Sequence, residues 1–490
     1  MKKLMVFAMA VCAMAGAFAA ANEAMTKDVN VVVTSLSVRQ RYPWNGKVDI
    51  DFSIDSEFPE AFSFVRFGAS YKNGGGETVN VPMRTFDHGT SWFCASSGTY
   101  RVTWDSSADV PDLMVTNLQY TVTANMAKYM VVDLSKGTSA TADNPYPITY
   151  LEECPDPTRM DGGWTNRDKT TNLVLRLIQP GTYKQAWNDE SSSVAAYRRS
   201  AFRHSATITK PFYMAIFETT QMQLYLLKAS YGQSGIFTGG NRYARPTLDT
   251  YQNIRGRGYN GTINWPKTGS AVSADCLLAK LRTRTNTDGW DLPTESEWEY
   301  VCRAGGVASG FWNDGSDAGI AVNTGFATIP DNASVVALDV LGRYKFNGGY
   351  VATFDEEGGT NIYTAAATSS DETHGTAIVG SYKPNAWGIY DMHGNVWELC
   401  NGYMGSTYYA WYSSSGYYGA AEYPNLVDDL GQRTDSFGEW SYRPVRGGSW
   451  DRSARDCCIA LRNSNTERTA FGFRLVWRFP TPPQNPPAAE

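Results

Sequence analysis

The chain has 490 residues, with 43 Lys and Arg against 49 Asp and Glu, so its field is mildly acidic and argues against nucleic acid as a partner. Hydrophobic residues make up 42% and aromatic residues 13%, enough to fill more than one core, and the length points to two or three domains. Lys2 and Lys3 precede an apolar run and the small residues Ala17, Ala19, Ala20 and Ala21, so residues 1–21 read as a signal peptide cleaved near Ala19 to Ala21. Cys12 follows Val11, which is not the small residue a lipid-attachment site prefers, and a lipid anchor is not expected. No later segment approaches the roughly 20 continuous apolar residues that cross a bilayer. The expectation is an exported bacterial protein, periplasmic or extracellular, that does not span a membrane.

The stretch "KVDIDFSID", residues 47–55, alternates Val48, Ile50, Phe52 and Ile54 with Asp49, Asp51, Ser53 and Asp55, the period of a strand with one wet face. Similar runs, "VNVVVTSLSV", "FSFVRFGASY", "TYRVTWD" and "LQYTVTAN", are separated by turn formers such as "KNGGGE" and "DHGTS". Residues 27–135 are therefore expected to form an antiparallel β-sandwich, with no cluster of ionisable side chains to suggest chemistry. Residues 136–171, rich in Thr, Asp, Pro and Gly, read as a linker.

Beyond it, "LVLRLIQPGTY" reads as a buried strand ending in a Pro-Gly turn, and "ITKPFYMAIFETTQMQLYLLKA" runs from strand into helix. Thr220 and Gln223 have capping-box spacing for that helix, as do Thr294 and Glu297 in "LPTESEWEYVCRAGG", which Gly305 and Gly306 can stop. Trp298, Val301 and Cys302 share one helical face, which makes Cys302 a small apolar core residue. A further helix is expected after Ser273, with Leu277 and Leu281 one turn apart. The remainder up to about residue 480 is irregular and dense in Gly, Tyr and Trp, and residues 481–490 form a proline-rich, extended tail.

Seven cysteines follow the expected cleavage point, Cys94, Cys154, Cys276, Cys302, Cys400, Cys457 and Cys458, an odd number that leaves at least one unpaired within the chain. They lack repeated CxxC spacing, and only His88, His204, His374 and His393 are available, so neither a zinc cluster nor a histidine-rich metal centre is well supplied.

Four segments occur in order: "PFYMAIFETTQMQ" (211–223), "LPTESEWEYVCRAGG" (292–306), "PNAWGIYDMHGNVWELC" (384–400), and "RPVRGGSW" (443–450) closing with "FGFRLV" (471–476). Together they resemble the formylglycine-generating enzyme, or sulfatase-modifying factor, family over residues 172–480. The resemblance implies an α+β domain of C-type-lectin-like, formylglycine-generating-enzyme type with much irregular structure. It does not imply one activity. Active members oxidise a sulfatase cysteine to formylglycine with copper and oxygen, others perform different oxidations, and others are ligand-binding display proteins.

Copper chemistry of that kind needs two converging thiols, because thiolates favour Cu(I) over hard cations. In active members they follow the RGGS signature as C-x4-C. Counted forward through "RGGSWDRSARDCCIALRN", Arg452 takes the first place and Cys457 the second; counted backward from "ALR" with a three-residue deletion, Ala454 takes the second. Either way the first thiol is missing. Cys457 and Cys458, if on an extended strand, would point to opposite faces and could not readily chelate one ion, and one of them could pair with Cys400 or Cys302.

In the 384–400 segment, Asp391 and Glu398 flank "MHGNVW", and two hard carboxylates plus backbone oxygens suit calcium. The resemblance implies calcium held by the side chains of Asp391 and Glu398 and the carbonyls of Gly394 and Val396. The competing reading pairs Glu398 with an arginine such as Arg446 or Arg474 and leaves Asp391 to cap a turn. Trp387 and Trp397 read as loop anchors, Asn395 as a backbone hydrogen-bonder, His393 as a satisfied or surface residue, and Gly447 and Gly448 as turn positions with positive φ. Arg446 offers a fork of donors for carbonyls or an acid. The expectation is a non-catalytic module that binds an exported protein or glycan ligand through the loops between 400 and 470; the alternative is the copper oxidase.

Overall fold

A computed structural model of the chain describes residues 31–42, 45–56, 63–89, 92–115, 117–159, 161–185, 204–232, 242–256, 272–305, 312–313, 334–355, 360–365, 375–401, 426–427, 442–466 and 470–479. The expected signal peptide, the proline-rich tail, His374 and most of the 402–441 stretch lie outside the described residues.

The N-terminal region consists of two antiparallel sheets. Val31–Gln40, Lys47–Ser56 and Gly98–Asp105 form one, with Lys47–Ser56 central. In the other, Ser63–Lys72 pairs with Gln119–Met126 along one edge and with Thr78–Val81 and Trp92–Ala95 along the other. The alternation read in residues 47–55 sends Val48, Ile50, Phe52 and Ile54 into one apolar cluster with Val65, Ala69, Val102 and Trp104. Each such burial contributes about 1.5–3 kcal/mol. The opposite face is not uniformly wet, because Asp49 is buried beneath Arg41 Nε, 2.7 Å away, and the Thr103 hydroxyl, 3.0 Å away.

The mixed α+β region that follows begins earlier than its sequence suggests. Its principal sheet has the order Trp290–Asp291, Val476–Arg478, Phe212–Ala215, Asn172–Ile178, Tyr129–Asp133, Ile148–Leu151. Residues 129–133, expected at the end of the sandwich, and residues 148–151, expected in the linker, are thus strands of this second sheet. The physical reason is apolar burial: Tyr129, Met130, Val132 and Leu134 are all within 3% of full burial and pack with the C-terminal clusters. The polar stretch between these two strands begins with a short 3-10 turn, Leu134–Ser139.

Both expected capping boxes form. The Thr220 hydroxyl accepts the Gln223 N–H at 3.3 Å while Gln223 Oε1 accepts the Thr220 N–H at 2.9 Å, starting helix Gln221–Lys228. Thr294 and Glu297 do the same for helix Glu295–Cys302, at 3.1 and 2.7 Å. A third helix, Leu277–Thr285, is capped by Cys276 and buries Leu277, Leu278 and Leu281. Helix Glu295–Cys302 is buried on every side, its three glutamates included. Those carboxylates need partners, and the partners build the site.

Candidate functional site

Glu299 accepts from Arg303 Nε at 2.9 Å and forms an ion pair with Arg446, both partners being fully buried. Arg446 also donates to the Leu461 carbonyl at 2.7 Å and approaches Glu295 at 3.4 Å. Glu295 is held by Arg462, and Glu297 accepts from Arg478 Nε at 2.8 Å. Fully buried charges persist only when paired and hydrogen-bonded, so this lattice fixes the helix, the RGGS turn and the stretch up to Arg462 as one body. Arg446 thus uses its fork on a carbonyl and acids, as expected.

At the turn itself, Gly447 and Gly448 have φ of 92° and 79°. A Cβ on Gly448 would fall 2.5 Å from Cys457 Sγ and 2.8 Å from the Asp456 carbonyl, so the turn closes directly on Cys457. That cysteine ends a 3-10 turn, Ala454–Cys457, and the expected extended strand is not formed there. Cys457 and Cys458 are both fully buried in the same apolar cluster, and burial pushes the Cys457 thiol well above its ordinary range. Cys302 and Cys400 are buried free thiols too, so the pairing considered for the CC dipeptide is absent among the described cysteines. Arg452, at the first thiol place, is exposed, with 53% of its side-chain surface accessible.

The 384–400 segment is fixed by a dense set of polar bonds. Asn385 Oδ1 accepts the Trp387 and Ile389 N–H groups at 3.0 and 3.1 Å, while its amide donates to the Val301 carbonyl at 2.7 Å. The Gly394 N–H donates to the Gly447 carbonyl at 2.7 Å, and the Asn395 carbonyl accepts the Trp450 N–H at 2.9 Å, which stitches this loop to the RGGS turn. A Cβ on Gly394 would sit 2.0 Å from the Arg343 carbonyl, so that position requires glycine. Trp397 is buried, and the half-buried Trp387 packs against a core cluster.

Two arginines were candidates for Glu398. Arg474 takes it: Nε and a terminal nitrogen each lie 2.6 Å from the carboxylate, both residues are fully buried, and Trp298 Nε1 adds a bond at 2.9 Å. Asp391, at φ 58°, accepts the Gly380 N–H at 2.6 Å through Oδ2, the turn-capping role considered for it, while Oδ1 is buried with no hydrogen-bond partner. Burial raises the Asp391 carboxyl to about 6. Glu218, unremarked in the sequence reading, lies in the same cluster, where its oxygens accept from the Asn395 amide at 2.5 Å and the Val396 N–H at 3.2 Å. Its pKa is driven upward first by burial and then by Asp391 and Glu398. The clue was an acid closing the apolar run "FYMAIFE".

The fit to calcium is therefore divided. Asp391, Glu218 and Glu398 are hard oxygen donors near enough to raise the Glu218 pKa, and Asp391 Oδ1 has no partner. Yet Glu398 spends both oxygens on Arg474, and among the described residues no three His, Cys, Asp or Glu side chains converge to hold a metal. Gly394 and Val396 contribute backbone N–H bonds to this packing. His393 is buried and satisfied, with Nδ1 2.9 Å from the Cys457 carbonyl and Nε2 accepting the Asn313 N–H at 3.1 Å. Burial lowers its pKa to about 4, so the ring is neutral.

The model of the sulfatase-modifying factor enzyme 1-like domain matches residues 164–479. The chain belongs to the FGE-sulfatase family. Over 195 residues it is 29% identical to the formylglycine-generating enzyme of Streptomyces coelicolor, covering 38% of this chain and 46% of that protein. Over 191 residues it is 27% identical to the serine/threonine-protein kinase pkn1 of Chlamydia pneumoniae, covering 38% and 21%. The family member described here thus spans less than half the length of these relatives. Among solved structures, Treponema denticola variable protein 1 aligns at TM-score 0.38 and 19% identity, covering 63% of this chain and 96% of that one. PvdO from Pseudomonas aeruginosa aligns at 0.34 and 19%, covering 62% and 94%. Among the described residues no helix is long and apolar enough to cross a membrane.

Proposed function

We propose that this chain is an exported, non-catalytic ligand-binding member of the family: a C-type-lectin-like scaffold on a β-sandwich stem that takes a protein or glycan through its 400–470 loops. The observation that carries this reading is the placement of the thiol positions. Arg452 stands in solvent where the first thiol belongs, and Cys457 is sealed beneath Gly448 with its sulfur 4.0 Å from the Ser449 carbonyl. A soft cation needs two thiolates on one accessible spot, and a buried, protonated thiol is a poor ligand. The chain is to be loaded with copper(I) and incubated aerobically with a peptide carrying the sulfatase cysteine motif. No aldehyde and no oxygen uptake above the peptide-free control are expected; aldehyde in the peptide restores the oxidase reading.

Calcium at the 384–400 loop is a second proposal, supported by the unpartnered Asp391 Oδ1 and by the surplus of buried carboxylates over Arg474. Asp391 and Glu398 would hold the ion with the Gly394 and Val396 carbonyls, and the ion's charge would offset the carboxylate repulsion. The melting midpoint should rise in calcium, fall in chelator, and lose this response in Asp391→Ala. A midpoint indifferent to both additions removes the ion from this loop.

A further inference from the structure

At the corner where helix Gln221–Lys228 ends, three tyrosines and an arginine form an aromatic step at the surface. Ala229 adopts φ 56° and turns the chain back, its N–H donating to the Tyr225 carbonyl at 2.7 Å. Two residues later Tyr231 lies flat on Tyr225, with ring centroids 4.5 Å apart and planes 10° from parallel. The buried Thr247 donates its hydroxyl to the Tyr231 carbonyl at 2.7 Å, and a Cβ on Gly232, at φ +105°, would come within 2.2 Å of that hydroxyl. A 3-10 turn, Arg242–Ala244, supplies the other pair: the Arg242 guanidinium carbon is 4.4 Å from the Tyr231 centroid and 5.0 Å from that of Tyr243. The Arg245 N–H closes this turn on the Arg242 carbonyl at 3.0 Å, and the Arg245 carbonyl accepts the Gln221 N–H at 3.0 Å. Each part of the step is therefore tied to the start or end of the same helix or to a buried threonine, which holds it in place before any ligand arrives.

Tyr225 and Tyr243 nonetheless remain 40% and 38% exposed. Arg242 has no carboxylate partner among the described residues, and its neighbours are the phenol groups of Tyr243 and Tyr231. A guanidinium carries five donors in one plane, more than two phenols use. It is a fixed positive charge on a chain of net charge −6, beside the partly exposed Tyr243.

We propose that this step binds a glycan containing uronic acid, with the C–H face of a pyranose on a tyrosine ring and its carboxylate on the Arg242 fork. Charge complementarity selects the acid. A planar carboxylate matches the paired N–H geometry of a guanidinium, whereas a neutral sugar leaves the cation unanswered. The corner is separate in sequence from the 400–470 loops, and the inference does not depend on those loops binding anything.

The test is calorimetric titration of the whole chain with tetragalacturonate, its methyl ester, a neutral galactose oligomer and a decaproline peptide. The acid should bind, and the ester and neutral oligomer should bind at least about tenfold more weakly. Arg242→Gln and Tyr225→Ala should each weaken the acid at least about tenfold with an unchanged melting midpoint. Arg242→Lys, which keeps the charge but loses the fork, should fall between. Equal affinity for acid and ester, undiminished binding in the variants, decaproline binding in place of the acid, or no heat with any ligand each overturns the proposal.

Discussion

The two regions of this chain use charge in opposite ways. In the N-terminal sheets, ion pairs decorate the surface: in Arg101 and Asp51, 51% and 29% of the side-chain surface remains accessible, and in Lys47 and Asp105, 39% and 20%. In the C-terminal domain the pairs Arg446–Glu299 and Arg474–Glu398 are at 0% on both sides. The N-terminal sheets are thus held by alternating apolar burial around Phe52 and Trp104, with these ion pairs at the surface and Asp49 a buried exception. The family domain, poor in long regular elements, uses buried arginines as cross-links between loops that a hydrophobic core alone would leave free. Losing a partner of the exposed pairs in the first region should be harmless, and losing one of the fully buried pairs in the second severe.

The largest expected effect follows directly. Arg474→Ala leaves Glu398 buried and unpaired, and should lower unfolding free energy by about 3–5 kcal/mol in urea titration. The double variant Arg474→Met with Glu398→Gln should recover much of that loss, and a double variant no better than the single one would refute the charge-burial account.

Next comes acidification. The folded pKa of His393 is depressed to about 4 from an ordinary 6.5, so its contribution is present above pH 6.5 and is lost as the pH falls through 4, where the unfolded chain is already protonated. The loss approaches about 3 kcal/mol. Asp391, raised to about 6, acts with the opposite sign, stabilising below its ordinary 3.8 and losing that contribution as pH rises through 6. The difference between wild type and His393→Gln isolates the histidine, and the variant's stability should fall less between pH 7 and pH 4.5. Parallel pH profiles would remove His393 as the cause.

Gly448→Ala should then cost about 1–3 kcal/mol, from the positive φ and the collision with Cys457. Pairing it with Cys457→Ala should return part of this, because only the steric share is relieved. The smallest effect is expected in the N-terminal sheets, where Arg101→Ala should leave the urea midpoint unchanged within error. A clear shift there would erase the contrast between the regions.

Much of this was legible in the residues. Period-two alternation in 47–55, the capping boxes at Thr220 and Thr294, the glycines of the RGGS turn and the family itself follow from local spacing, because each depends on neighbours within a few positions. The departures are non-local. Residues 129–151 read as sandwich and linker because their strands are short and separated by polar residues; they become sheet only when Asn172–Ile178 pairs with Tyr129–Asp133, which in turn pairs with Ile148–Leu151. The CC dipeptide read as strand because nothing local signals the 3-10 turn that seals Cys457 under Gly448.

Sequence alone determined which side chains this protein has to work with, including the absence of a thiol at Arg452, since covalent composition needs no fold to be read. Tertiary structure alone decided how they are spent: Glu398 on Arg474, 76 positions away, and Glu218 on Asn395, 177 positions away. Pairing of buried charges is settled by whichever partner three-dimensional packing brings within reach once water is excluded, and separation along the chain carries no record of that choice.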